Sequence, residues 1–303
     1  MSQVKTASRT ASTPKVHRHE TIPLRNAPAG TPKILALVFA ETTHDIKFTD
    51  LGLPETLLQA LRTVGYESPS PIQAATIPPL LAGRDMIGQA QTGTGKTAAF
   101  ALPALARLDA TAGKPQVLVL APTRELAIQV AEAFQKYANH IPGFHVLPIY
   151  GGQSYQPQLS ALKRGVHVVV GTPGRVLDLL NQGALWLDRV RFLVLDEADE
   201  MLDRGFAPDV ERIIARTTPD RQTALFSATI PPEIRQLADK YMFDPQVVSV
   251  GPKERTVAAI EQRSYLVHPS DKLAALTRIF EIEDITSALI FTRTRASTGE
   301  LAS

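Results

Sequence analysis

From about residue 46 onward, the chain alternates short apolar runs with longer amphipathic stretches, and this alternation restricts the fold more than any other feature. The runs predicted as strands are Asp85–Gln89, Val117–Ala121, His145–Ile149, His167–Val170, Phe192–Leu195 and Ala224–Phe226. Segments of helical length separate them, such as Arg124–Tyr137, where Val130 and Phe134 share one face. The pattern predicts an α/β fold, in which helices cover both faces of a parallel sheet.

Composition narrows the class of protein. The 303 residues are 44% hydrophobic and 20% charged, as in an ordinary globular protein. No apolar stretch approaches the length of a membrane span, so we expect no membrane association. Cysteine is absent, which excludes disulfides and cysteine-ligated zinc and is consistent with a reducing, cytoplasmic location.

The formal net charge of +2 is unevenly distributed. Residues 1–33 carry six cations, namely Lys5, Arg9, Lys15, Arg18, Arg25 and Lys33, against the single acid Glu20, which leaves −3 for the rest of the chain. Together with their Ser, Thr and Pro content, this predicts a disordered basic N-terminal extension over residues 1–45. An organelle transit peptide is the alternative, although arginines are few.

We predict two further regions. Residues 46–252 hold the alternating pattern and form the first domain. Residues 259–303 offer a strand (Gln262–Val267), a helix (Asp271–Glu283), a strand (Ala288–Thr292) and the start of another helix. Two strands and a helix cannot enclose a core of their own, so we expect this region to be the truncated start of a second domain.

A glycine-rich loop follows the first predicted strand and opens a helix. It consists of Gln91, Thr92, Gly93, Thr94, Gly95, Lys96 and Thr97. Glycines let backbone N–H groups turn toward a phosphate, a lysine neutralises phosphate charge, and a threonine hydroxyl ligates Mg²⁺. A flexible turn is the alternative, and the strict pattern would place glycine where this chain has Ala90.

An apolar strand ends in two acids, Asp196 and Glu197. Buried acids need a compensating cation. Asp196 is suited to hold hydrated Mg²⁺, and Glu197 is suited to activate an attacking water as general base. The alternative is an exposed acidic loop in which Asp199 caps a helix. A guanine-specific GTPase is disfavoured, because no Asn-Lys-x-Asp sequence occurs.

These two segments and four further strings lie in one order: AQTGTGKT (90–97), PTREL (122–126), GG (151–152), TPGR (172–175), DEAD (196–199) and SAT (227–229). In order and approximate spacing the chain resembles the DEAD-box ATP-dependent RNA helicases of superfamily 2, in which Ala at position 90 is also accepted. The resemblance extends over roughly residues 46–295. It implies a RecA-like (P-loop NTPase) domain that binds ATP and Mg²⁺ and hydrolyses ATP to drive RNA duplex remodelling.

Upstream, Phe48 and the segment from Gly65 and Tyr66 to Gln73 look like that family's Q motif. The resemblance implies that Gln73 hydrogen-bonds the adenine edge while Phe48 and Tyr66 contribute to the ATP site, and a side-chain amide does offer adenine both a donor and an acceptor. The alternative is that Gln73 only starts a helix and Phe48 belongs to the core.

The resemblance also implies sequence-independent contacts to the RNA backbone. The residues concerned are Thr123, Arg124, Gly152, Thr172, Gly174 and Arg175. For the two arginines, an intramolecular salt bridge is the alternative. Ser227 and Thr229 are implied to couple hydrolysis to RNA handling by hydrogen-bonding the DEAD segment at Asp199. Alternatively, their hydroxyls cap the turn after the strand.

Residues 289–294 resemble the first motif of the family's second domain, but its later arginine-rich motif has no counterpart in residues 1–303. An arginine finger accelerates phosphoryl transfer by about 10³–10⁵ in other NTPases. We therefore expect this chain to bind ATP with weak turnover and no unwinding. The rival interpretations are a non-catalytic remnant that keeps ATP as a structural ligand, and a DNA helicase or other P-loop ATPase.

Overall fold

Eight parallel strands form one sheet in the computed structural model of the chain, which describes residues 38–39, 46–250, 261 and 263–302. The strands are β1 Val38–Phe39, β2 Met86–Gln89, β3 Val117–Leu120, β4 Val146–Ile149, β5 Val168–Gly171, β6 Phe192–Asp196, β7 Gln222–Ser227 and β8 Gln246–Ser249. Their order is β1-β8-β2-β7-β6-β3-β5-β4. The predicted α/β fold is confirmed, and the predicted strands are β2 to β7 with ends shifted by one or two residues.

Two strands were not expected from the sequence. β8 pairs with β2, and Val38 and Phe39 of β1 pair with Val248 and Ser249. β1 lies inside the extension 1–45 that we predicted to be disordered, and the remaining residues of that extension lie outside the described ranges. β1 has only two residues, and β8 contains only two apolar residues, Val247 and Val248, so neither strand gives a long apolar run.

Helices pack against both faces of the sheet, as the alternation predicts. They are α1 Glu55–Thr63, α2 Pro71–Leu81, α3 Lys96–Ala106, α4 Arg124–Tyr137, α5 Tyr155–Arg164, α6 Pro173–Asn181, α7 Ala198–Asp203, α8 Ala207–Ile214 and α9 Pro232–Tyr241. A 3-10 helix, Phe48–Leu51, precedes α1. Within the described ranges, no helix has the length and apolarity needed to cross a bilayer.

Successive side chains of each central strand enter opposite cores, because a strand has a period of two. In β3, Val117 and Val119 belong to the core that contains α1 to α4, whereas Leu118 and Leu120 belong to the core that contains α6 to α9. Both faces of β3 are therefore buried in hydrophobic cores, which explains why its sequence is one continuous apolar run.

The six strings that follow the predicted strands all lie at the carboxyl edge of this sheet. Residues 90–97 follow β2, residues 122–126 follow β3, residues 151–152 follow β4, residues 172–175 follow β5, residues 196–199 end β6, and residues 227–229 end β7. Open parallel sheets bind their ligands at this edge. The fold thus gathers six separate strings of sequence into one surface.

Residues 252–303 form a second compact unit, distinct from residues 1–251. It contains a 3-10 turn (Pro269–Asp271), α10 (Lys272–Ile282) and α11 (Arg295–Ala302), so the predicted helices are present. The two predicted strands were wrong: residues 263–267 and 288–292 have no strand structure, and Gln262 lies outside the described residues. A strand needs a hydrogen-bonded neighbour, and the described part of this unit offers none.

Candidate functional site

The loop between β2 and α3 has the backbone that the glycine-rich sequence predicts. Gly93 and Gly95 adopt φ values of +80° and +93°, a region that residues with a Cβ rarely enter. Gly95 is the N-cap of α3, so the helix begins at Lys96. The loop is also held internally, because the Thr94 hydroxyl donates to the Gln91 carbonyl at 2.7 Å. The free N–H groups at the start of α3 favour an anion at this position.

Lys96 is the most informative side chain of the loop. It is 7% exposed, and its Nζ has no hydrogen-bond partner in the part of the chain that the structure describes. A buried ammonium without a partner is costly, whereas surface lysines keep the ammonium in water. The site is therefore electrostatically incomplete until an anion supplies the missing acceptors.

Asp196 ends β6 and is 2% exposed. Burial raises the pKa of its carboxyl to about 7, with Lys96 opposing the rise and Glu197 adding to it. Its Oδ1 accepts a hydrogen bond from the Glu197 backbone N–H at 3.1 Å. A further cation nearby, such as a bound metal ion, would lower the pKa of this carboxyl and so favour its ionised form at neutral pH.

Glu197 has a backbone conformation unusual for its residue type. Its φ of +50° and ψ of +54° place it in the left-handed region, at the N-cap of α7. A non-glycine residue there costs of order 1 kcal/mol, and such strain is concentrated at functional sites. The half-buried residue adjoins the buried Asp196 at the edge of the sheet where the β2–α3 loop lies; we call this loop the phosphate loop after the ligand that its sequence predicts.

The residues present fit Mg²⁺ bound together with a phosphate. The described residues contain no group of three or more His, Cys, Asp or Glu arranged to hold a metal alone. Mg²⁺ is characteristically held by one or two protein oxygens plus substrate phosphates and waters. Asp196 and the half-buried Thr97 would supply protein oxygens, and a phosphate beside Lys96 would supply the acceptors that its ammonium lacks.

Gln73 lies against the phosphate loop. It is 5% exposed, its Nε2 donates to the Gly95 carbonyl at 3.1 Å, and its Oε1 accepts from the Ser70 backbone N–H at 2.9 Å. The second contact closes the first turn of α2. The helix-start role that we gave as an alternative is therefore real, and the same side chain also joins α2 to the loop.

An open cleft of about 360 Å³ adjoins Gln73, a volume typical of small-ligand sites. Tyr66, Gln73, Gly93 and Gly95 are among its lining residues. Tyr66 is 40% exposed and stacks on Phe48 with ring centroids 6.3 Å apart. Phe48 is itself buried in the core beneath, as the alternative interpretation of that residue expected. The exposed ring in this pair thus belongs to Tyr66.

The segments after β6 and β7 are joined by hydrogen bonds. Thr229 donates twice to Asp199 Oδ2, from its backbone N–H at 2.9 Å and from its hydroxyl at 2.8 Å. The Asp199 backbone N–H donates to the Ser227 hydroxyl at 3.2 Å. Burial alone would raise the pKa of Asp199, but the Thr229 and Ser227 hydroxyls together with backbone N–H groups hold that pKa below its ordinary value. The contact expected between the SAT and DEAD segments is present.

The two arginines predicted to contact RNA differ in exposure. Arg124 is exposed, with its guanidinium carbon 5.0 Å from the centroid of the Tyr150 ring. Arg175 is 8% exposed and lies 3.9 Å from the centroid of the Tyr155 ring. Neither forms a salt bridge with any described carboxylate, so the alternative reading of these arginines was wrong. Aromatic stacking takes the place of ion pairing.

The remaining predicted RNA contacts lie at the same edge of the sheet. Thr123 caps α4, because its hydroxyl accepts from the Leu126 N–H at 3.1 Å. Thr172 is the N-cap residue of α6 and its side chain makes no capping hydrogen bond. Gly152 is exposed, and a Cβ on Gly152 or Gly174 would meet no heavy atom within 4 Å. The Thr123 hydroxyl is thus used in capping α4. The Thr172 hydroxyl is not used in capping, and the space beside Gly152 and Gly174 is open to a ligand.

Sequence reasoning missed the residues that support this surface. Tyr150, Tyr155 and Gln158 contact the two arginines, yet none lies in a motif that we singled out. A glutamine within a polar helix gives no sequence signal, because only the fold shows that Gln158 is buried.

A parallel sheet with a glycine-rich loop after β2 and a buried acid at the end of β6 defines a RecA-like domain of the P-loop class. Residues 70–237, more than half of the chain, match the family model described as DEAD/DEAH box helicase. The chain belongs to that family.

Two curated relatives and one solved structure are consistent with this assignment. The ATP-dependent RNA helicase DeaD of Mycobacterium tuberculosis is 55% identical over 84% of this chain and 45% of its own length. The Escherichia coli protein of the same name is 52% identical over 84% of this chain and 40% of its own length. The crystal structure of a DEAD box protein from Methanococcus jannaschii superposes with a TM-score of 0.66 at 39% identity, covering 85% of this chain and 69% of that one. The chain thus spans less than half the length of these curated relatives.

Proposed function

We propose that this chain binds ATP with Mg²⁺ at the carboxyl edge of its sheet, binds the RNA backbone beside it, and hydrolyses ATP to ADP and phosphate as part of RNA duplex remodelling. The observation that carries the proposal is the buried Lys96 ammonium, which has no hydrogen-bond partner among the described residues and lies at the N-terminus of α3. Such a group is explained when a polyphosphate supplies the acceptors.

Each polar residue of the site takes one task. Lys96 neutralises phosphate charge, while the Thr97 hydroxyl and the Asp196 carboxylate hold the metal ion. Bound Mg²⁺ offsets the negative charge that develops on the phosphate oxygens during transfer. Glu197 orients the attacking water and accepts its proton, and the left-handed backbone at this residue fixes the direction of its carboxylate.

The cleft beside the loop suits a purine. We propose that the Gln73 amide exchanges its contacts with Ser70 and Gly95 for the adenine edge, and that the half-exposed Tyr66 ring, backed by Phe48, provides the apolar wall. Gln91 and Thr92 are exposed at the open side of the loop and complete the proposed ATP site.

RNA is proposed to bind along Thr123, Arg124, Gly152, Thr172, Gly174 and Arg175. Contacts from guanidinium, hydroxyl and backbone N–H groups to the sugar–phosphate backbone carry no information on base identity, so binding is expected to be independent of sequence. RNA rather than DNA as the ligand is supported by the names of the curated relatives. The cytoplasmic location expected from the composition stays a prediction.

Coupling between the two ligands is proposed to pass through Asp199. This residue is three positions from Asp196, and Thr229 and Ser227 hold it through hydrogen bonds. A shift of the acidic segment on hydrolysis would therefore move the end of β7, and the reverse also holds.

The test measures binding and hydrolysis separately in the 303-residue chain. A fluorescent ATP analogue is titrated with and without Mg²⁺, and phosphate release is followed with and without single-stranded RNA. Glu197→Gln should retain nucleotide binding and lose hydrolysis, whereas Glu132→Gln, on an exposed position of α4, should match the wild type. Absence of Mg²⁺-dependent nucleotide binding would refute the proposal.

We expect residues 1–303 to hydrolyse ATP slowly and to show no strand separation, because these residues include no arginine-rich motif resembling that of the family's second domain. Robust unwinding of an RNA duplex by the purified chain would contradict this expectation. ATP binding without any hydrolysis, even with RNA, would instead favour ATP as a structural ligand.

A further inference from the structure

Tyr155, Leu159 and Leu162 of helix α5 pack partly buried against the core, but the helix's most deeply buried side chain is an amide. Of its ten residues, all of which the structure describes, only Gln158 is buried, with 1% of its surface exposed. Burying an amide is unfavourable unless both its donor and its acceptor are satisfied. Position 158 therefore requires a hydrogen-bond acceptor and a hydrogen-bond donor for its side chain, which a residue that only fills space would not need.

Both ends of this amide are hydrogen-bonded. The Gln158 Nε2 donates to the Tyr150 carbonyl at 3.2 Å, and its Oε1 accepts from the Arg175 Nη1 at 3.3 Å. The side chain thus joins the end of β4 to the first turn of α6, two elements that are distant in sequence.

Arg175 connects in addition to Gln153, which lies three residues after Tyr150. Its Nη2 donates to the Gln153 carbonyl at 3.1 Å. Its guanidinium also lies on the Tyr155 ring, whose hydroxyl donates to Asp178 at 3.1 Å. Gln158 and Arg175 therefore hold the first and last carbonyls of residues 150–153, which we call the 150–153 turn.

The middle of the 150–153 turn is left open. Gly151 and Gly152 are exposed, and a Cβ built on either would meet no heavy atom within 4 Å. Gly152 also has a φ of +80°, which residues with side chains rarely adopt. A turn that is fixed at both ends and bare in the middle is suited to close approach by the backbone of another molecule.

We propose that Gln158 is a positioning residue for RNA: it orients Arg175 and, with it, holds the 150–153 turn in the conformation that receives the sugar–phosphate backbone. The inference rests on the proposed RNA binding at this edge of the sheet. The function of Gln158 is exerted through Arg175 and the turn, so its side chain touches no nucleotide.

The chemistry of the amide makes the proposal specific. Methionine has a similar length but retains neither hydrogen bond. Glutamate retains the acceptor facing Arg175 but replaces the donor with a charge that repels the Tyr150 carbonyl. Ordering a binding surface before the ligand arrives reduces the entropy cost of association, so loss of the amide should weaken RNA binding by misplacing Arg175 and its phosphate contact, although the amide itself touches no nucleotide.

The first arm of the experiment measures the affinity of the 303-residue chain for a fluorescein-labelled oligouridine by anisotropy over a series of salt concentrations. Gln158→Met is expected to weaken binding by roughly tenfold. The slope of log affinity against log salt should fall by about 0.7, the value for one phosphate contact on a single strand. A variant that merely unfolds in part would lose active protein at an unchanged slope. Gln156→Met, an exposed glutamine of the same helix, is the matched control and should bind as the wild type does.

A double-mutant cycle separates action through Arg175 from an independent effect. Arg175→Lys keeps the charge but loses the planar guanidinium that reaches Gln158 and Gln153 together. If Gln158 acts through Arg175, then Gln158→Met should add little to the effect of Arg175→Lys. Additive losses would overturn the proposed route.

The second arm needs no RNA and so distinguishes failure of this inference from failure of the proposed function. Amide hydrogen exchange at residues 151–154 should be faster in Gln158→Met than in the wild type or in Gln156→Met. Unchanged exchange and unchanged RNA affinity would overturn the positioning role while leaving RNA binding intact. A wild-type chain that binds no RNA would refute the RNA site proposed above and this inference with it, whatever the exchange rates show.

Discussion

Gly95 of the phosphate loop lies directly against Gln73 of α2. The Gln73 Nε2 donates to the Gly95 carbonyl at 3.1 Å, and a Cβ on Gly95 would overlap that same nitrogen. The residue assigned to adenine and the loop assigned to phosphate are therefore in contact before any ligand binds. We therefore expect occupation of one part of the proposed site to affect the other through this contact.

Gly95→Ala should damage both halves of the nucleotide site at once. The φ of +93° at Gly95 is strained for alanine, and the methyl group would displace the Gln73 amide. We expect a loss of about 1–3 kcal/mol in unfolding free energy and at least a tenfold weaker affinity for a fluorescent ATP analogue. Gly113→Ala is the control, because its Cβ would enter open space. Equal effects of the two substitutions would argue against the contact.

Removal of the Lys96 ammonium should stabilise the nucleotide-free protein. Lys96→Met deletes a buried charged group that has no hydrogen-bond partner among the described residues, and the buried Asp196, whose pKa is already raised to about 7, can take up a proton when the lysine charge is removed, so we expect a relief of about 1 kcal/mol. The same substitution should abolish the rise in melting temperature that ATP and Mg²⁺ give the wild type. Lys136→Met, on an exposed position of α4, should change neither quantity. A destabilised Lys96→Met protein that still responds to ATP would contradict the assignment.

The sequence predicted the central strands because burial on both faces leaves a continuous apolar run, as in β3 and β5. It did not predict β1 or β8, which lie at one end of the sheet and contain apolar runs of only two residues. It also assigned strands to residues 263–267 and 288–292, where local preference for extended structure has no neighbouring strand to pair with. Strand formation is decided by pairing partners as well as by local sequence.

At the proposed site, the sequence indicated candidate residues but not the contacts that hold them. Lys96 and Asp196 were identifiable because a glycine-rich loop and an acidic strand end have few other uses. The burial of Arg175, its stacking on Tyr155 and its contact with Gln158 were not, because these contacts join elements separated along the chain. Contacts between residues that are distant along the chain leave little trace in the local amino-acid sequence.

Thr229→Val should weaken the connection between the acidic segment and the end of β7. The substitution removes the hydroxyl that donates to Asp199 at 2.8 Å but keeps the shape of the side chain and the backbone donor. We expect a loss of up to about 1 kcal/mol in unfolding free energy at neutral pH, since the contact is partly exposed to water. In phosphate-release assays, the ratio of the rates with and without RNA should fall toward one. Thr111→Val provides a control hydroxyl in the loop after α3.

The stability difference between Thr229→Val and the wild type should depend on pH. The pKa of Asp199 lies below its ordinary value of 3.8 in the folded wild type, so its carboxylate stabilises the fold above that value and loses this contribution as the pH falls through the folded pKa. The two unfolding free energies should therefore differ at pH 7 and converge in strong acid. A difference that grows below pH 4 would contradict the view that the ionised form of Asp199 makes the stabilising contact.

Limited proteolysis should separate the two units of the chain. Helix α10 has no buried residue, and Leu273, Leu289 and Phe291 of the second unit are 61%, 80% and 87% exposed. Segments with so few buried apolar contacts open at low free energy and are cut quickly. Trypsin at low concentration should therefore cleave after the exposed Lys272 and Arg278 long before it cleaves within β2 to β8. Mass spectrometry of the fragments locates the cuts, and ATP with Mg²⁺ should protect the loop at Lys96 without protecting these two sites. Resistance of Lys272 and Arg278 in a dilute monomer would show that the apolar surface of this unit is covered.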